Sequence, residues 1–267
     1  MVETSPTRRG AAALFLPRLA RAVVTLAGLL ALWHLAYEAV GRQHYLLPSP
    51  WQTAQALVER GDTIARHAWV TMVEILLGLA AGTLLGGLSA LGLASFAPLR
   101  RWLMPVLVVS QAIPVFAIAP LLVLWLGYGL GSKVAMATLI IYFPVTAALF
   151  DGLRRTEPGW LDLARVMGGG RWRTLWHIRL PAALPAFASG LRVATAVAPI
   201  GAVVGEWVGS SAGLGYLMLH ANARMQVDLM FAALFVLAVF AVTLYAIVDA
   251  LLRRALPWQP DAPPLPS

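Results

Sequence analysis

The sequence contains no cysteine, which excludes disulfides, thiolate metal sites and cysteine nucleophiles together. Lysine is nearly missing as well. Of the 20 basic residues only Lys133 is a lysine, so the formal net charge of +8 rests on arginine. Charge itself is scarce: 12% of the 267 residues are charged, against about 25% in a soluble globular chain. No GxxxxGK[ST] phosphate loop is present, so the chain has no nucleotide site of that kind. The arginines lie between apolar runs rather than in a basic patch, which points to membrane topology and away from nucleic acid.

Apolar surface is what the chain has in excess, with 60% hydrophobic residues and a mean hydropathy of +0.76. A single aqueous core cannot hide that much, so lipid is the expected solvent. Six runs are long enough to cross about 30 Å of hydrocarbon at about 1.5 Å per residue: 19–40, 68–96, 103–126, 133–150, 182–208 and 228–252. Each is expected to be a helix, because an open strand edge in lipid leaves backbone groups unpaired. The expected class is an all-α integral membrane protein with about six transmembrane helices. A cytoplasmic tail covers residues 1–18, a membrane domain 19–256 and a second cytoplasmic tail 257–267. The first run exceeds the about 7–15 apolar residues of a cleavable signal core, so it reads as a retained span.

Orientation follows from the basic residues. With the N-terminus inside, inner segments hold Arg8, Arg9, Arg18, Arg21, Arg100, Arg101, Arg154, Arg155, Arg165, Arg171, Arg173, Arg179, Arg253 and Arg254. Outer segments hold only Arg42, Arg60, Arg66, Lys133 and Arg224, and Arg192 falls within a span. The bias places both termini in the cytoplasm.

Polar residues inside spans each invite an explanation, since an ionisable group there costs about 2.5–3.5 kcal/mol on insertion scales. Glu74 shares one helical face with Gly78, Gly82 and Gly86. The glycines require close protein contact, so the carboxylate is expected to face protein or water. Ordinary helix packing suffices to explain the glycines themselves. Gln111, Arg192 and Glu206 complete the candidates for a translocation path or gate. For Arg192 a structural partnership with carboxylates or helix-end carbonyls competes with a pathway role, and Glu206 is read as anchoring or gating a loop. His34 with Glu38 and Asp249 with Arg253 read as helix-surface pairs at a spacing of four. Trp51, Trp69, Trp102, Trp207 and Trp258 suit an interfacial belt.

Two loops are too long to be turns. The outer one, 41–67, contains LLPSPWQTAQALVERGD, in which proline and serine precede a stretch with the spacing of a short interfacial helix. The inner one, 151–181, reads as a helix starting at Glu157 and Pro158. Leu161, Ala164, Arg165 and Gly168 fall at helical spacing, and Gly168, Gly169 and Gly170 then turn the chain before a basic aromatic segment. Such a loop is shaped either for a cytoplasmic partner or for anionic headgroups.

The segment 162–181 resembles the cytoplasmic signature of ABC importer permeases, EAA, three residues, Gly, nine residues, then I-x-L-P. Asp162, Leu163 and Ala164 stand for EAA, Gly168 falls at the required offset, and Ile178, Leu180 and Pro181 complete the pattern. Asp162 keeps the carboxylate, whereas Leu163 departs from the alanine. QAIPVFAIAPLLVLWLGYGLGSK and GAVVGEWVGSSAGLGYLM resemble, in the same order, segments of permeases for nitrate, taurine, aliphatic sulfonates and thiamine-pyrimidine precursors.

The resemblance implies a type I importer permease fold with a cytoplasmic coupling helix at 162–170. Asp162, Leu163, Ala164, Gly168, Arg171, Ile178, Leu180 and Pro181 would contact the ATPase. Implied partners are cytoplasmic ABC ATPase subunits, a second permease copy in a homodimer, an extracytoplasmic solute-binding protein and the lipid of a bacterial inner membrane. ATP and Mg2+ would bind to the ATPase, and no cofactor to this chain. The solute leaning is towards an aminopyrimidine such as hydroxymethylpyrimidine, with sulfonate, taurine or nitrate as alternatives. An ion-coupled carrier using Glu74 or Glu206 has no reason to carry the signature loop. A membrane enzyme is disfavoured because the inner loops lack paired carboxylates or a nucleophile with a base, and His177 and His220 are isolated.

Overall fold

A computed structural model describes residues 9–43 and 46–258, with the side chains of 9–22, 26, 111 and 112 outside that description. The described residues are helical in this order: α1 (Arg9–Ala39), α2 (Pro50–Glu59), α3 (Gly61–Ser95), α4 (Ala97–Ala112), α5 (Val115–Leu126), α6 (Leu130–Arg154), α7 (Pro158–Val166), α8 (Arg171–Thr174), a π-helical turn (Leu175–Arg179), α9 (Leu180–Gly209), α10 (Leu214–Ala223) and α11 (Val227–Ala255). Helix α1 begins well before the expected span at 19, while the expected tails fall largely at 1–8 and 259–267, outside the described residues.

Among the described residues, four helices are long and apolar enough to cross a membrane unbroken: Gly61–Ser95, Leu130–Arg154, Arg171–Gly209 and Val227–Ala255. The expected third span, 103–126, is not one straight helix. Ala97–Ser110 and Val115–Leu126 are bent by 105° and count as a fifth span only as a broken pair. Pro114 is the cause: it lacks an N–H and holds Ile113 in extended backbone at φ −86° and ψ 119°. The sixth segment is the shorter apolar run Val23–Ala39 in α1.

The chain divides into two compact units. One contains α1, α2 and Ala221–Ala232. Within it Ser49 caps α2 in a reciprocal capping box with Gln52, after Pro48 has accepted a 3.0 Å bond from Trp33 Nε1. The short helix expected in the outer loop is therefore present, with Trp51 on its exposed side.

The second unit, Asp62–His220 with the rest of α11, is built around α6. Gly78, Gly82 and Gly86 of α3 lie against Ala137, Ile141 and Thr146, so the glycine face meets α6. From α9, Gly201 faces the Ala137 backbone, Gly205 faces Lys133, and Gly190 faces Ala148 and the Pro144 carbonyl. A Cβ at Gly201 would stand 2.7 Å from Ala137 Cα, closer than real side chains come. Small residues on α3 and α9 thus let α6 be enclosed at backbone distance, the route to helix association where lipid gives no hydrophobic drive. Below them Leu93, Leu149, Phe150, Leu153, Leu175 and Ala183 form an apolar cluster.

Candidate functional site

The inner loop is built by its caps. Pro158 occupies the first turn of α7, where its missing N–H costs nothing. At the other end Gly168 N–H donates to Arg165 O at 3.0 Å and Gly169 N–H to Ala164 O at 2.7 Å, with Gly168 at φ +71°. That pair of bonds is a Schellman turn, and the left-handed residue is the one that favours glycine. A Cβ on Gly168 would meet open space, whereas one on Gly169 would stand 2.7 Å from Ala164 O. The helix of the loop is therefore Pro158–Val166 rather than 162–170, and Gly168 belongs to the turn that ends it.

The expected coupling residues divide in two. Asp162 and Arg165 pair at 2.6 Å on the exposed side, and Leu163 is exposed while Ala164 is buried. Leu163, Ile178 and Pro181 come together along one cavity of about 580 Å³, joined by Trp160, His177 and Trp258. Leu180 turns inward onto the apolar cluster, and Arg171 lies over the Phe96 ring, 5.9 Å from its centroid. Trp258, expected in an interfacial belt, lines this groove instead. The basic aromatic segment after the glycines continues into α9 as a helix through the π turn, where Leu180 N–H reaches Leu175 O. Pro181 lacks the N–H that an α-helix would send to His177 O, so the wider turn precedes it.

The span residues form a second site. Glu206 is 1% exposed. Its Oε1 accepts from Thr71 Oγ1 at 2.6 Å, and its Oε2 accepts from the N–H groups of Gly215 at 2.5 Å and Tyr216 at 3.2 Å. Thr71 Oγ1 in turn accepts from Leu214 N–H at 2.7 Å, and His67 Nδ1 accepts from Gly213 N–H at 3.0 Å. The loop before α10 is thereby tied to α3 and α9. Gly213, at φ +113°, has no room for a Cβ because the Glu206 carboxylate fills that space.

Glu74 is fully buried, no N–H or hydroxyl donor reaches either of its oxygens, and its carboxyl lies within hydrogen-bonding reach of the Glu206 carboxyl. Its charged neighbours are Glu206 and Lys133. Lys133, which carried no site expectation, is itself buried and donates to Tyr128 O at 2.8 Å and Gly129 O at 3.1 Å. Arg192 donates to Asp249 Oδ1 at 2.7 Å, and Asp249 Oδ2 accepts from Arg253 Nε at 2.9 Å. Asp249 is thus more than half of a surface pair on α11. Sequence reasoning missed it as the partner of Arg192 because the two lie 57 residues apart. The Gln111 side chain lies outside the described residues. The structure therefore joins Glu74 to Glu206 but sets Arg192 in a separate ion pair.

Among the described residues, an all-helical fold with broken and unbroken apolar spans and a capped loop helix defines a multi-pass membrane protein. The chain belongs to the family described as binding-protein-dependent transport system inner membrane component, which it matches over residues 82–257. It is 56% identical over 237 residues to a probable ABC transporter permease protein of Haemophilus influenzae, covering 89% of this chain and 97% of that one. It is 36% identical over 232 residues to the formylaminopyrimidine transport permease of Halalkalibacterium halodurans, covering 86% and 92%. Among solved structures, the MetNI methionine ABC transporter in an inward-facing conformation matches with a TM-score of 0.64 at 17% identity, over 73% of this chain and 97% of that chain. The fold is that of a type I ABC importer permease, and the chain is an inner-membrane subunit of such an importer.

Proposed function

We propose that this permease moves an aminopyrimidine, such as hydroxymethylpyrimidine or a related thiamine-pyrimidine precursor, into the cytoplasm by alternating access. It works as a homodimer with the path along the two-fold axis. Helix α7 is its coupling helix, seated in a cytoplasmic ATPase that binds ATP and Mg2+, and a binding protein delivers solute outside. Both termini are cytoplasmic. The observation that carries the solute class is the likeness, at 36% identity, to a formylaminopyrimidine permease. The engagement of Arg192 by Asp249 agrees with it, because an anion on this route gains little from a cation already neutralised.

The second reading is a taurine, aliphatic sulfonate or nitrate permease. Competition separates the two. Uptake of labelled hydroxymethylpyrimidine by cells expressing the permease with its ATPase and binding protein is expected to be abolished by unlabelled aminopyrimidine and untouched by taurine or nitrate. Inhibition by taurine or nitrate alone would reassign the solute.

A further inference from the structure

Between α3 and α4 the chain has a single residue, Phe96, so two apolar helices end and begin within one step of each other. Phe96 is thereby held where two apolar helices meet, and the end of the inner loop, Arg171 and Trp172, packs back onto it. Phe96, Trp102 and Trp172 are all exposed, and Phe96 meets Trp172 edge to face at 6.4 Å. The indole rings of Trp102 and Trp172, apolar with one polar N–H, suit the depth of lipid headgroups.

One cation lies on these rings and two more stand near it. Arg171 lies over Phe96, and Arg100 begins the second turn of α4 on the same connection. Arg179 is close enough to feel the charges of both Arg171 and Arg100. Its Nε and Nη2 are fixed on Leu153 O at 3.1 and 2.8 Å, near the end of α6, which sets the direction of the guanidinium. No carboxylate among the described residues pairs with Arg100, Arg171 or Arg179, although the carboxylates Asp162, Glu38 and Asp249 all have arginine partners. Three like charges held together without a counter-charge call for an anion from outside the chain.

We infer that Arg100, Arg171 and Arg179, with Phe96 and Trp172, form a binding site for the phosphate of an anionic phospholipid headgroup. The guanidinium forks take the phosphate oxygens, and the rings lie beside the glycerol and upper acyl chain. Both leaflets present phosphate, so the site does not depend on the proposed orientation, and it requires neither ATP nor transported solute.

The test uses the full-length permease alone in detergent, read by its thermal unfolding midpoint and by lipid retained in native mass spectrometry. Phosphatidylglycerol and cardiolipin are expected to raise the midpoint of the wild type, with phosphatidylcholine giving no rise. The rise should fall by at least half in the double variant Arg100→Gln, Arg171→Gln and stay whole in Arg224→Gln. If the glutamine pair fails to fold, Arg100→Lys with Arg171→Lys keeps the charge but loses the fork, and a reduced rise with reduced lipid retention is expected there. An undiminished rise in the variants overturns the site, as does no rise in the wild type. Inorganic phosphate reproducing the whole rise would make it a free-anion site instead. Loss of ATPase co-purification with an undiminished lipid response would assign the arginines to a protein partner.

Discussion

Glu206 and Gly213 depend on each other. The carboxylate takes one hydroxyl and two backbone donors, and Gly213 leaves the space that the carboxylate fills. Removing the acceptor strands the N–H groups of Gly215 and Tyr216 and leaves Thr71 Oγ1 only the His67 carbonyl at 3.3 Å, so Glu206→Ala is expected to cost on the order of 2–3 kcal/mol, seen as a lowered unfolding midpoint. Gly213→Ala should behave alike, and a double variant should cost less than the sum because both break one latch. Glu74 shows the opposite condition, a buried carboxyl whose hydrogen-bonding neighbour is another carboxyl, that of Glu206. In this conformation it is enclosed by protein, so any influence on solute choice runs through the seating of α3 on α6. Glu74→Met keeps the volume and removes a buried acid from beside Glu206, and it is expected to assemble and to unfold at a higher temperature. A loss of assembly in that variant would show that the carboxylate itself holds the fold together.

At the scale of the helix, the turn after α7 gives an ordered series. Left-handed backbone at Gly168 costs an ordinary side chain about 1–2 kcal/mol and costs Asn or Asp less. With open space around Gly168, strain and not collision is the penalty inside the chain. Gly168→Asp, which the turn tolerates, should insert in the membrane normally, and the loss of ATPase co-purification and uptake expected there comes from its charged side chain at the docking face; Gly168→Asn should retain more of both than Gly168→Val. Full activity in Gly168→Asp would remove α7 from the coupling role. The glycine face of α3 offers an internal control. Gly78→Ala sets a Cβ against that of Ala137 and is expected to destabilise by about 1–3 kcal/mol. Gly87→Ala, with nothing within 4 Å, should stabilise by up to about 1 kcal/mol.

The same helices show what a sequence discloses. The long apolar runs and the spacing of Gly78, Gly82 and Gly86 were legible because length and period are local properties, and both appear in the structure. The break at Pro114 was not, since hydropathy averages over it while the backbone does not. Lys133 beside Glu74, Thr71 under Glu206 and Asp249 against Arg192 were hidden for another reason. Each partnership joins different helices, and a pattern within one helix carries no trace of what the next brings to it.

For the whole molecule, topology is the first quantity to measure. The absence of native cysteine allows single cysteines at Thr174 and Thr63 to be labelled without background. Thr174 is expected to react with an impermeant thiol reagent only from the cytoplasm and Thr63 only from outside; the reverse would invert the arrangement and detach α7 from any cytoplasmic ATPase. The most direct measurement is uptake of labelled hydroxymethylpyrimidine into vesicles holding the purified permease, its ATPase and its binding protein. Uptake should require ATP inside the compartment that contains the ATPase and should persist when proton and sodium gradients are collapsed. Uptake that proceeds without ATP and stops when the gradients are collapsed would contradict an ATP-driven importer.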